Sequence, residues 1–137
     1  MRPFALLVIA VLFACAPVSD SSRRSQGDSA IADVRLLART PGTGRVLLTL
    51  ENHSSRPVGY NLCTSTLEQR DGERWTAMPS EEVCTMELRT LDPSRSVAYE
   101  KDLPPGIASG EYRYVTSVES PLGGEQRIIA SVPFRVV

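Results

Sequence analysis

The residues with the widest chemical range are Cys63 and Cys84, which bracket the segment CTSTLEQRDGERWTAMPSEEVC. A pair of thiols can bind a metal, carry out redox chemistry or form a structural disulfide. Metal and redox sites built on cysteine usually contain a CxxC pair or nearby histidines, and neither accompanies this pair. The sequence therefore favours a structural disulfide between Cys63 and Cys84, provided that the chain is exported.

Other reactive groups are scarce. The one histidine, His53, lies in the polar stretch NHSSRP, and a catalytic triad or a Cys-His pair would depend entirely on this loop residue. Met78 and Met86 could join it in a soft copper site, but methionines more often fill gaps in a core. There is no HExxH, EF-hand or phosphate-loop motif. We predict no catalytic, cofactor-binding or metal-binding residues, and hence no enzyme.

Charge and length narrow the possible partners. Fifteen basic residues stand against 16 acidic ones, without a lysine- or arginine-rich block, so nothing matches a phosphate backbone and we expect no nucleic-acid partner. A chain of 137 residues has room for one domain.

The opening MRPFALLVIAVLFAC has a positive charge at Arg2 followed by an unbroken apolar run over 4–14. This run is much shorter than the roughly 20 residues of a transmembrane helix, and it is typical of a secretory signal peptide. We predict a signal peptide over 1–14 and export to an oxidising compartment, where disulfides persist.

The end of this run, Leu12-Phe13-Ala14-Cys15, resembles the lipobox of bacterial lipoprotein precursors. The resemblance implies that Cys15 is lipidated and anchors the chain to a membrane of the cell envelope, facing the periplasm or the exterior. Lipidation also leaves an even pair of cysteines, Cys63 and Cys84. The alternative is a secreted soluble form, because Ala14-Cys15-Ala16 also reads as an ordinary signal-peptidase site. The polar stretch 15–30 is predicted to be a flexible linker.

From Ile31 to Val137 the chain consists of short alternating runs separated by turn residues. This pattern predicts an all-β fold, an antiparallel β-sandwich of about seven strands in one domain. In RVLLTLE, for example, Val46, Leu48 and Leu50 share one face. We expect one continuous strand over VGYNLCTSTLEQ (58–69) and another over TMELRTL (85–91).

The hairpin near Asp71-Gly72 allows more than one register. A two-residue turn at Asp71-Gly72 pairs Trp75 with Glu68, whereas a three-residue loop over 70–72 pairs Trp75 with Leu67. We prefer the second, because it keeps apolar side chains together.

Two features are expected near the end of the chain. Tyr112, which follows a Pro/Gly-rich crossover, suggests the tyrosine corner of immunoglobulin-like sandwiches. In RIIASVPFRVV, Pro133 should lie at a sheet edge or a bulge. The alternating residues expected to face inward there are Ile128, Ala130, Val132, Phe134 and Val136.

The succession VLLTLENHSSRPVGYNL, LEQRDGERWTAMP, SGEYRYV and VPFRVV resembles bacterial immunoglobulin-like domains of secreted and lipid-anchored proteins, over roughly 34–137. It is also similar in outline to the bacterial intracellular proteinase inhibitors. The resemblance bears on fold far more than on function.

Three functions stay open at this point. The first is a non-enzymatic interaction or accessory module that binds a protein or an envelope polymer through its loops or an edge strand. The second, from the resemblance, is a proteinase inhibitor. The third is an envelope enzyme or metal carrier, which the shortage of histidine and free thiols disfavours.

Overall fold

The computed structural model describes residues 33–120 and 124–137. The predicted signal peptide, Cys15 and the linker lie outside these residues. Within the two described ranges, no helix is long and apolar enough to cross a membrane. A 3-10 helix spans Leu62–Thr64, and the strands in chain order are β1 (Val34–Gly42), β2 (Arg45–Asn52), β3 (Val58–Tyr60), β4 (Thr66–Asp71), β5 (Arg74–Ala77), β6 (Arg89–Leu91), β7 (Arg95–Asp102), β8 (Gly110–Ser120), β9 (Glu125–Ala130) and β10 (Phe134–Val136).

The strands form two antiparallel sheets. One has the order β1-β2-β7, and the other has β5-β4-β8-β3-β6 with β9 and β10 on the far side of β8. The strands β3 and β4 pair with successive parts of β8, and β9 and β10 do the same on its other side. The ten strands therefore occupy seven columns, three in one sheet and four in the other. The predicted antiparallel β-sandwich is confirmed.

The core forms between the inner faces of β2 and β8. Val46, Leu48 and Leu50 of β2 are fully buried, as their alternation predicts. On β8 the buried side chains include Tyr112 and Tyr114, whose rings stack against Phe134 at centroid distances of 6.2 and 6.1 Å. This alternation of inward residues from both sheets is what unites the sandwich.

The tyrosine corner is present. Tyr112 Oη donates a hydrogen bond of 2.7 Å to the carbonyl oxygen of Ala108, four residues upstream. The bond fastens the crossover between β7 and β8 to the start of β8, as expected from the sequence.

The loop after β2 is organised by Asn52, which is completely buried. Its Nδ2 donates to the carbonyl oxygens of Arg56 and Leu91, at 2.8 and 3.0 Å. Its Oδ1 accepts from the amide and the hydroxyl of Ser54. Each polar atom of the Asn52 side chain is therefore used to hold the loop.

The predicted register of the β4–β5 hairpin is wrong. Asp71 pairs with Arg74 and Arg70 with Trp75, so the turn consists of Gly72 and Glu73. Gly72 has φ of +60°, as a type II′ turn requires at its first central position. Trp75 lies on the outer face, where the Arg113 guanidinium stands 4.3 Å from its ring centroid. Trp75 therefore has this cationic neighbour instead of the apolar partner, Leu67, that the predicted register gave it.

Three of the five residues predicted to face inward near the end of the chain do not. Ile128 is 74% exposed, Val132 is 65% exposed and Ala130 is also exposed, whereas Phe134 is buried and Val136 packs against the core. The chain leaves the sheet between β9 and β10, and this break changes which residues face the core. In β9 it is Ile129 that packs against the core. Pro133 lies in the break at the sheet edge, as expected.

Two predicted strands are shorter than expected. The strand expected over 58–69 is interrupted by the 3-10 helix, whose N-cap Asn61 accepts a hydrogen bond from the Cys63 amide at 3.2 Å. The strand expected over 85–91 includes only Arg89–Leu91. Residues before it belong to an irregular segment that is fastened elsewhere, and this segment forms the candidate site.

Candidate functional site: a fastened irregular segment

Residues 78–88, between β5 and β6, have no regular secondary structure; we call them the strap. The strap lies where the edge strand β7 of one sheet faces the 3-10 helix of the other, and it makes contacts with both. Its first residue is held by a hydrogen bond of 2.8 Å from the Met78 amide to the carbonyl oxygen of Leu67. An irregular segment gains nothing from a strand ladder, so other interactions must fix its position.

The first of these is covalent. Cys63 and Cys84 form a disulfide with a Cα–Cα distance of 5.7 Å, which confirms the predicted bond. It joins the middle of the strap to the 3-10 helix. Because both sulfurs are oxidised, they no longer offer the thiolates that a metal site would use, although Glu82 lies beside them.

The second fastening is Lys101, the only lysine of the sequence, whose side chain is 5% exposed. Its Nζ donates to the carbonyl oxygens of Cys63 and Ser65, at 2.6 and 3.0 Å, and pairs with Glu82 Oε2 at 2.8 Å. The Tyr114 ring centroid is 5.7 Å away. All three ammonium protons thus have acceptors, and a buried charge is tolerated only when it is satisfied in this way.

Sequence reasoning missed Lys101, although a signal was available. Val97, Tyr99 and Lys101 alternate along β7, and all three face inward. A lone lysine in register with two apolar residues on an inner face indicates a specific buried acceptor. The compact ammonium suits three converging oxygens better than the planar guanidinium that supplies every other basic side chain of this protein.

Glu82 connects the strap to β7 twice. Besides Lys101, its carboxylate accepts a hydrogen bond of 3.1 Å from Tyr99 Oη. Burial, followed by this hydrogen bond, raises the pKa of Tyr99. Burial and the negative charges of Glu82 and Asp102 raise the pKa of Tyr114 to about 12. Both phenols therefore stay protonated at neutral pH, and Tyr99 can keep donating to the strap.

The third fastening is a hydrogen bond at Thr85, the residue that follows Cys84 in the sequence. Asn61 Nδ2 donates a hydrogen bond of 2.7 Å to the carbonyl oxygen of Thr85. The strap backbone is consequently held at 82, at 84 and at 85, by three different kinds of interaction.

The side chains between and beyond these points face solvent. Val83 is 96% exposed and Met86 is 88% exposed, and Leu88 is exposed as well. The fold buries almost none of the Val83 and Met86 side chains, so these two contribute little to stability in the isolated chain. The strap thus combines a fixed backbone with an outward apolar surface.

Clefts lie on both sides of the strap. The larger, about 540 Å³, has an apolar floor that includes Leu67 and Tyr114 and an acidic rim that includes Glu81 and Asp102. The smaller, about 240 Å³, lies between Tyr60 and Tyr99, with Val83 at its border. In the described part of the chain, neither cleft contains a histidine, so neither offers the base of a triad.

The other residues considered from the sequence are not brought together here. His53 is exposed and pairs with Glu51 Oε2 at 3.0 Å. It follows Asn52, which lies opposite Arg95 on β7, so along that strand it is roughly 20 Å from Lys101. Met78 packs against the core and Met86 is exposed.

Comparison with known proteins supports the fold alone. No family model matches the sequence, and no curated protein matches it either. Among solved structures, the fold is similar to that of a Bordetella pertussis protein provisionally named ApaA, with a TM-score of 0.52 at 16% identity. The match covers 75% of this chain and 89% of that one. At this identity it carries no information on function.

Proposed function

We propose that this protein is a non-enzymatic lipoprotein of the bacterial cell envelope, an accessory immunoglobulin-like module that binds a protein partner through the strap. One observation carries the proposal. The strap backbone is fixed on both sides of Val83, by Glu82 and by Cys84, while Val83 itself is almost completely exposed.

Physical reasoning favours a binding role for such a segment. A loop that must be ordered on binding loses affinity through the entropy of its side chains and backbone, and fixing it beforehand removes that cost. Met86 is a flexible, polarizable side chain of a type enriched at interfaces. Clustered exposed apolar residues on a stabilised backbone are typical of an interaction site.

The membrane anchor at Cys15 suits this role. Cys15 lies 18 positions before Asp33, so an extended linker reaches roughly 60 Å. The domain could therefore meet partners away from the membrane surface. Intact-mass analysis of the purified mature chain tests the anchor: we expect an acylated Cys15 at the N-terminus, and a mature N-terminus elsewhere without acyl mass would refute it.

The strap is tested by a photoreactive amino acid placed at Val83 or Met86 of the full chain in living cells. The matched control is Thr43, which is exposed in the β1–β2 turn. We expect one discrete adduct from both strap positions and none from Thr43. Adducts that are equally diffuse from all three positions would contradict the proposal.

A series of substitutions tests whether the apolar surface of the strap is responsible for the adduct. Val83→Asp and Met86→Asp place a charge in the apolar surface and should reduce the yield of the adduct at the neighbouring strap position at least tenfold. Thr43→Asp should leave it unchanged. Unaltered yields from both strap variants would contradict the proposal.

The same geometry favours a second candidate, a proteinase inhibitor. A proteinase cleaves extended, exposed segments, and a segment fixed at Glu82 and Cys84 would leave the enzyme slowly after binding. Stoichiometric inhibition by the full chain, lost in Val83→Asp, would select this candidate. No inhibition by a molar excess across serine, cysteine and metalloproteinases would remove it.

A further inference from the structure

The strand β9 has one side paired with β8 and no pairing on its other side among the described residues. One contact shows which residues of β9 direct their backbone N–H and C=O groups toward this unpaired side. The Ser131 amide donates to the Tyr114 carbonyl oxygen at 2.8 Å, so the backbone groups of residue 131 face β8. Since these directions alternate in an antiparallel pair, the N–H and C=O groups of Gln126, Ile128 and Ala130 face away from β8.

This free side carries only part of the usual protection. Edge strands are commonly blunted by proline, by charged side chains, especially lysine, or by bulges. Glu125 and Arg127 place charges on β9, but the strand has neither proline nor lysine and pairs with β8 in unbroken register from Glu125 to Ala130. Its outer face carries Ile128, which is 74% exposed, and Ala130. A groove of about 360 Å³ lies between β9 and β1.

We infer that a second copy of this chain occupies this edge, by pairing its own β9 antiparallel to the first about a twofold axis at Ile128. In that register Ile128 pairs with Ile128 of the second copy, and Gln126 pairs with Ala130 on both sides of the axis. These are the residues whose backbone groups face away from β8 and have no strand partner among the described residues. The three pairs form six hydrogen bonds, two in each pair.

The side chains are compatible with this register. The Ile128 side chains of the two copies lie next to each other on the outer face. Arg127 faces Ile129 of the second copy, and Glu125 faces Ser131, so no like charges are directly opposed. Because β9 supplies both the apolar centre and the matching backbone parity, the edge is complementary to itself. A contact this small dissociates on dilution rather than forming an obligate dimer.

Cysteine cross-linking of the detergent-solubilised full chain tests this inference. In the proposed pair the two Ile128 Cα atoms are about 5.5 Å apart, within the range of a disulfide. Ile128→Cys should give a reducible dimer on oxidation with copper phenanthroline. The wild-type chain reports any dimer formed through its own cysteines, and Val83→Cys, which is also highly exposed, reports random collision.

A second pair of variants tests the register and does not depend on the Ile128 substitution. Gln126→Cys and Ala130→Cys should each stay largely monomeric alone and form a dimer when mixed. The inference is overturned if Ile128→Cys gives no more dimer than Val83→Cys, or if the mixture gives no more than its components. A strand from 1–32 or from another protein on this edge would produce that outcome. These results are independent of the strap.

Discussion

The two open sides of the sandwich differ in how their edges are completed. On one side, the strap crosses from β5 to β6 and is fastened to β7 and to the 3-10 helix by Lys101 and a disulfide. On the other, β1 and β9 face each other across a groove with no cross-link among the described residues. An irregular segment needs dedicated fastenings to hold a fixed surface. A regular edge strand already has a fixed backbone from its ladder, and that backbone can pair again.

The difference is also chemical. The strap offers side chains, Val83 and Met86, on a backbone whose position is set by a buried charge. The β9 edge offers mainly backbone groups in a fixed spacing. We therefore expect selectivity for a particular surface on the strap side and strand pairing on the β9 side.

Lys101→Met should have the largest effect on stability. It leaves Glu82 and two carbonyl oxygens without their shared donor, and losing one partner of a buried ion pair costs about 3 to 5 kcal/mol. Because Glu82 is partly exposed and can be rehydrated, we expect about 3 to 4 kcal/mol in urea unfolding. Arg95→Met, an exposed change on the same strand, is the control. Equal effects of the two substitutions would contradict a special role for Lys101.

The double substitution Cys63→Ser and Cys84→Ser should cost about 3 kcal/mol, since it frees a loop of this size in the unfolded chain. The β9 edge is remote from this bond, so the dimer yield of Ile128→Cys should be unchanged in the double-serine background. A parallel loss of that dimer would show that the two sides are not independent.

High pH should destabilise the folded domain through Tyr114, a core residue of β8. In the unfolded chain the Tyr114 phenol ionises near its ordinary pKa of 10, but in the folded chain near 12. The resulting stability is present below pH 10 and is lost as the pH rises from 10 to 12. The loss is up to about 2.5 kcal/mol. Tyr114→Phe should flatten the dependence of the unfolding free energy on pH over this range; an unchanged slope would contradict the assignment.

Val83→Lys and Ile128→Lys should have the smallest effects on stability, within about 0.5 kcal/mol, because both side chains face solvent. Their functional effects should differ. In analytical ultracentrifugation, Ile128→Lys should abolish concentration-dependent dimerisation and Val83→Lys should leave it intact. Dimerisation lost in both variants, or in Val83→Lys alone, would place self-association on the strap.

Sequence reasoning succeeded where one local rule decided the structure. The alternation of Val46, Leu48 and Leu50 predicted a half-buried strand, and the place of Tyr112 after a Pro/Gly-rich crossover predicted the tyrosine corner. The disulfide followed from an even cysteine pair in a chain that the sequence predicts to be exported. In each case the physical cause lies within a short segment or in the compartment.

Sequence reasoning failed where a distant contact decided the structure. Trp75 was expected opposite Leu67, but it pairs with Arg70 and lies on the outer face, where it contacts Arg113 of β8. The inward face of β9 depends on where the chain leaves the sheet before Phe134, which alternation alone does not indicate. Lys101 finds its acceptors on the 3-10 helix and on the strap, so only the folded chain brings them together.

Limited proteolysis tests most directly whether the strap is a fixed surface. A glutamyl endopeptidase can cleave after three exposed residues of the strap, Glu81, Glu82 and Glu87. Cleavage requires the strap to detach locally from β7 and the 3-10 helix, so that it can enter the active site of the proteinase. We predict slow cleavage of the full wild-type chain at these sites. In the chain with both Cys63→Ser and Cys84→Ser, cleavage at pH 7.5 without denaturant should be at least tenfold faster than in the wild type. Equal cleavage rates for both chains would show that the strap is not held in place and would contradict the account.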